Sequence, residues 1–288
     1  MVGFVAATAG GCGVSVVGVG AEALPVGGDR DAALDGAVGT LEAGDVSAPD
    51  RGDGGVAPEG GDGSTCISIT GSAGVLAVPR VATPPKIDGD LADWPTCFVR
   101  LDASNAGQVR IIEGAGGAFP AGEFTLLHDG ARLYIGARMT GAPPLGDNGG
   151  PELYENDSIS VYVDADGSLV NGYGADALQI VVDHAGRVQG FRHPQMIDVV
   201  NVEKAARLAG DGKAYTVELA VAPATFGAGS FGPSVGFDIA WNDGTGSNQL
   251  SELVWFKKCG ASSSCGCENG DDAPYCDSRQ FGVAQLLP

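Results

Sequence analysis

Positive charge is scarce in this chain of 288 residues: 16 lysines and arginines stand against 36 aspartates and glutamates, for a net charge of −20. Such an excess repels phosphate backbones, whose binding draws on clustered lysine and arginine, so nucleic acid and anionic membrane surfaces are excluded as partners. Aromatic rings are missing from the first third, where Phe4 is the only one before Trp94, and residues 24–85 hold neither an aromatic side chain nor a lysine. A stretch of that kind cannot bury enough apolar area to offset its ordering entropy. Residues 24–80 therefore read as a flexible acidic, Gly-rich linker, with the apolar run 66–78 adding an edge strand to the domain beyond it. Histidine is limited to His128, His184 and His193, and neither His-Glu-x-x-His nor a phosphate loop occurs. Glu218 and Glu252 are the carboxylates that could be paired across a glycosidic bond, but neither sits in a distinctive motif. The reading is a non-catalytic protein.

Residues 1–23 form an apolar stretch without a preceding lysine or arginine. It carries two processing signals, a lipoprotein-type box ending at Cys12 and a small-x-small pattern at Ala21-Glu22-Ala23. Both imply export, as a secreted protein or an outer-surface lipoprotein whose only membrane contact is a lipid on Cys12. Cysteine usage points the same way. Once Cys12 is lipidated or cleaved away, Cys66, Cys97, Cys259, Cys265, Cys267 and Cys276 remain. These six allow 15 pairings, with the four in the loop 259–276 expected to pair largely among themselves. Zinc is the weaker alternative, since the spacing includes Cys-x-Cys and no histidine lies nearby. Disulfides in an oxidising compartment are expected.

From Thr96 onward the dominant period is two, the mark of half-buried strands. Leu133, Ile135, Ala137 and Met139 share one face, as do Ile159, Val161 and Val163, and Tyr215, Val217, Leu219 and Val221. Further strands are expected at 177–183, 235–242, 252–256 and 282–286, with a helical turn from Pro223 to Phe226. The pattern predicts an all-β fold in which two antiparallel sheets pack as a β-sandwich over residues 81–288, behind a disordered N-terminal segment; a closed barrel is the competing architecture.

Ile87-Asp88-Gly89, Asp93-Trp94, Leu133-Tyr134-Ile135, Asn156-Asp157-Ser158-Ile159, Tyr215-Thr216-Val217-Glu218, Asn242-Asp243, Val254-Trp255 and Phe281-Gly282 follow one another in the order found in carbohydrate-binding module family 9. The chain resembles that family over residues 81–288. The resemblance implies a β-sandwich that binds sugars, is often attached to xylanases and holds structural calcium in many members. A sugar ring has an apolar C–H face and a rim of hydroxyls, so a binder needs an aromatic platform and planar polar groups. Tyr154 matches one of the family's aromatic positions and Trp255 is taken as the second, the two sandwiching the ring, with Asp157, Ser160 and Asn242 beside them. Ser160 stands where the family motif has a glutamate. The calcium candidates are Asp164 and Asp166, in Asp-Ala-Asp-Gly, and no other cofactor is required. The expected partner is a polysaccharide or cell-surface glycan, held in support of glycan breakdown.

Each of these residues has a plainer reading. Trp94 and Trp241 are expected in the core, Trp255 divides evenly between core and ligand, and Asp157, Asp238 and Asp243 cap turns more often than they bind metal. Two other functions compete: a haem-b site with Met139 or Met196 opposite His184 or His193, and an adhesion module without a ligand.

Overall fold

A computed structural model describes residues 66–70, 74–111, 121–140, 152–170, 172–245, 248–256 and 274–288. The residues expected to form an export signal, with Cys12, those expected to form a linker up to residue 65, and Cys259, Cys265 and Cys267 lie outside the described residues. Numbered in chain order, the large sheet runs β1 (Ser68–Thr70), β2 (Val75–Val78), β15 (Gly282–Leu286), β13 (Ser234–Gly244), β7 (Ser158–Asp164), β8 (Ala177–Asp183), β9 (Val188–Arg192), β10 (Gln195–Ile197). The C-terminal half of β13 pairs instead with β14 (Gln249–Val254), which in turn pairs with β4 (Gln108–Ile111). The small sheet runs β11 (Val202–Leu208), β12 (Tyr215–Val221), β6 (Leu133–Thr140), β5 (Ala121–His128), β3 (Val99–Leu101). Among the described residues, no helix is long and apolar enough to cross a membrane.

The two sheets close on one core, as the alternation requires. Ile159, Val161 and Val163 of β7 meet Ile135, Val217 and Leu219 of the small sheet in a single buried cluster. This is the predicted β-sandwich. One pairing departs from the antiparallel expectation: β2 and β15 run parallel. They come from opposite ends of the domain, so no hairpin fixes their direction. The run 66–78 thus supplies two strands of the large sheet, and the folded part begins before residue 81.

The entry turn is clamped from outside the small sheet. Glu218 accepts hydrogen bonds from the amides of Asp88 at 2.7 Å and Gly89 at 2.6 Å, and from Trp94 Nε1 at 2.8 Å. Gly89 adopts φ +86°, which favours glycine. A disulfide joins Cys66 to Cys97 just beyond this turn. Cys276 is also disulfide-bonded.

Candidate functional site

The face of the large sheet that points away from the core is also buried, and it mixes polar residues with apolar ones such as Val181, Ala240 and Val254. Register sets Arg110, Glu252, Asn242, Ser158 and Asp183 in one row across β4, β14, β13, β7 and β8. Hydrogen bonds knit this row to the next. Asn242 Nδ2 donates to Ser158 Oγ at 3.0 Å and Ser160 Oγ at 2.9 Å, and Gln249 Nε2 donates to Asn242 Oδ1 at 2.9 Å. Gln179 Nε2 donates to Ser160 Oγ at 3.1 Å and to the Tyr162 hydroxyl at 3.3 Å. The Tyr162 hydroxyl donates to Glu252 Oε1 at 3.2 Å, while Arg110 Nη1 reaches Glu252 Oε2 at 2.6 Å. Burial, reinforced by the Glu252 charge, holds the Tyr162 hydroxyl in its protonated form.

Partly exposed rings edge this buried floor. The short turn Leu153–Glu155 is anchored by the Leu153 amide on Gln189 Oε1 at 2.9 Å, and it sets the Tyr154 ring 5.7 Å from Phe191. Phe191 is the cross-strand neighbour of Gln179. Tyr275 packs against the Tyr162 cluster, with the Arg110 guanidinium 5.2 Å from its centroid and His193 at 6.1 Å. Carboxamides, a guanidinium and rings on one face suit hydroxyls and C–H faces together.

Ser160 and Asn242 are brought together as expected, and Tyr154 lies on their face. Trp255 does not. It is 8% exposed and points into the core, 5.8 Å from Phe124 and 6.2 Å from Phe237. The pairing of Trp255 with Tyr154 as a sugar sandwich is therefore incorrect. The neighbour that faces outward is Val254, whose side of β14 is itself covered by Phe281 and Tyr275. Asp157 also faces elsewhere, accepting from the Gly244 amide at 3.4 Å and pairing with Asp243. Sequence reasoning missed Arg110, Gln179, Phe191 and Tyr275. The signal for Tyr275 was its place beside the cysteine loop, which the strand pattern does not cover.

The carboxylates weighed for catalysis are separated by the whole sandwich. Glu218 is on the outer face of the small sheet, under the entry turn, and Glu252 on that of the large sheet. Gly232-Pro233-Ser234-Val235-Gly236 has the spacing of a nucleophile elbow, yet Ser234 opens a strand and pairs with Gln285, where the elbow needs a strand-to-helix turn. Of the haem candidates, Met139 is fully buried in the core and Met196 is 53% exposed on β10.

A second cluster lies in the loop after β7. One carboxylate oxygen each from Asp164, Asp166 and Asp176 falls within 4.8 Å of the others. Asp164 Oδ2 accepts from the Leu169 amide at 2.9 Å, but its buried Oδ1 has no hydrogen-bond partner among the described residues. Burial beside the two other carboxylates raises the Asp164 pKa to about 6. Three hard oxygens on a loop bent at Gly167, φ +68°, with one left unsatisfied, fit a calcium ion. Asp176 was not read from the sequence because it stands ten positions beyond Asp166, on the far side of the loop.

The model of the carbohydrate family 9 binding domain-like family matches residues 94–287. No curated protein matches the chain. Among solved structures, a family 9 carbohydrate-binding module of Caldicellulosiruptor kristjanssonii in complex with cellotriose is similar with a TM-score of 0.53 and 18% identity, over 74% of this chain and 93% of that one. A family 9 module from the same organism in complex with glucose gives 0.51 and 18%, over 73% and 95%. A protein of Bacteroides uniformis, described as a candidate carbohydrate-binding protein, gives 0.50 and 16%, over 75% and 100%. At such identities the structures speak for the fold, and the family match over most of the domain decides the rest. The chain belongs to the carbohydrate family 9 binding domain-like family and is a carbohydrate-binding module, not an enzyme.

Proposed function

We propose that this module holds a polysaccharide or cell-surface glycan on the outer face of the large sheet, outside the cell and in support of glycan breakdown. The carrying observation is the juxtaposition of partly exposed rings, Tyr154 and Tyr275, with the buried amide and hydroxyl network of Gln179, Asn242 and Ser160. A floor knit by internal hydrogen bonds is rigid, so binding there costs little further ordering. The similar modules solved with cellotriose and glucose support a β-glucan as the first ligand to try. The Cys66–Cys97 disulfide supports an oxidising compartment, where export would carry the chain. A calcium ion on Asp164, Asp166 and Asp176 completes the proposal, as a brace for the loop and not as a part of the sugar site.

A glycan array probed with the full chain tests the reading. Binding to at least one neutral glycan, weakened about tenfold or more by Tyr154→Ala through loss of ring stacking, is expected. An array on which no glycan retains the protein would overturn it.

A further inference from the structure

The described residues cover the outer face of the small sheet only in part. The entry turn lays Trp94 and Leu91 on Gly136, where a Cβ would stand 2.9 Å from the indole, so glycine makes the room for that cover. Beyond Gly136 one cross-strand row is left uncovered by the described residues. Register sets Arg207, Thr216, Arg138 and Glu123 side by side on β11, β12, β6 and β5. At ~4.8 Å between strands the row is about 14 Å long. It floors a groove of about 920 Å³, which Leu91, Phe98 and Asp90 help to wall.

The charges along this groove are balanced. Arg138 pairs with Glu123, and Arg207 with Asp90 at 3.0 Å, with side chains between 28% and 63% exposed. An anion would find both guanidinium groups already neutralised, on a chain of net charge −20. An apolar ligand would strip water from four charged side chains without replacing its hydrogen bonds. A neutral polyhydroxylated ring fits instead: its hydroxyls accept from a guanidinium and donate to the adjacent carboxylate, and its C–H face lies against Phe98 and Leu91.

We infer that this groove is a second saccharide site, on the opposite side of the sandwich from the first, which lets one module hold two glycan strands. The ligand class rests on the proposed function; the location does not.

Amide NMR spectra of the full chain, titrated with cellotriose, test the inference. Two sets of shifts are expected, one around Gln179 and Asn242 and one around Gly89, Ala209 and Thr216. Arg138→Ala and Phe98→Ala should each abolish the second set and spare the first. Arg138→Lys, which keeps the charge but loses the planar fork, should weaken it while leaving the fold intact. Shifts confined to the first set would overturn the second site and leave the proposed function standing. A second set that survives both Arg138→Ala and Phe98→Ala would also overturn it, and shifts at neither face would overturn the second site and remove β-glucan as the ligand of the first.

Discussion

Asp238 lies on β13 with no exposure, its Oδ1 accepting from the amides of Ile239 at 2.8 Å and Phe256 at 3.1 Å while Oδ2 has no partner among the described residues. Burial, with the Glu252 charge adding to it, keeps its pKa well above the ordinary 3.8. The folded state therefore binds this proton more tightly than the unfolded chain does. The stability this group contributes is complete below 3.8 and is lost as pH rises towards the folded value. Asp238→Asn retains the Oδ1 acceptor and removes the ionisation, so stability to urea should fall less between pH 4.5 and pH 8 in the variant than in the parent. Parallel pH profiles would contradict this assignment. The same residue shows what a sequence can convey. Its alternation with Phe237 and Ile239 told that Asp238 faces away from the core, and turn capping was the natural expectation for an aspartate there. That this outer face is itself buried depends on the loop 165–176 and the segment 274–281 folding over it, and neither has a period to read. Trp255 was misassigned for the same reason. On a strand covered on both sides, alternation separates the faces without saying which is wet.

Strands with one clean apolar face were legible. Those of β6, β7, β12 and β13 lie where the period of two puts them, because Leu, Ile and Val alternate with smaller or polar residues along each. Edge strand β11 was not legible: its sequence Val-Glu-Lys-Ala-Ala-Arg-Leu is largely exposed and gains strand form from pairing with β12 along its whole length. Strand β5 was missed for the opposite reason, since Phe124 and Leu126 on one face and Thr125 and Leu127 on the other are all buried. The loop that joins β7 to β8 carries the element-scale prediction. With calcium on Asp164, Asp166 and Asp176, melting should move upward on adding the ion at pH 7.5, and chelation should reverse it. Protons compete for Asp164 below its value of about 6, so the shift should shrink at pH 5. Asp176→Asn should remove most of it. A melting temperature indifferent to calcium and chelator at pH 7.5 would rule the ion out.

At the scale of the whole molecule, the acidity read from the sequence is borne by a sandwich whose two outer faces differ. One is a buried polar net edged by rings, and the other a row of balanced ion pairs beside a clamped entry turn. The fold class and the family could be recognised from alternation and from short fragments in order, because both are written in local residue choices. The ring proposed to face the sugar could not, since Tyr275 reaches its place only when the C-terminal segment crosses the large sheet. Its position there and the burial of Trp255 make opposite demands on ligand binding. Isothermal titration of cellotriose into Tyr275→Ala and Trp255→Phe separates them. The structure predicts that Tyr275→Ala weakens binding about tenfold or more while Trp255→Phe, a core change, leaves the affinity of the folded protein unchanged. Loss of binding in Trp255→Phe with full affinity in Tyr275→Ala would contradict the account.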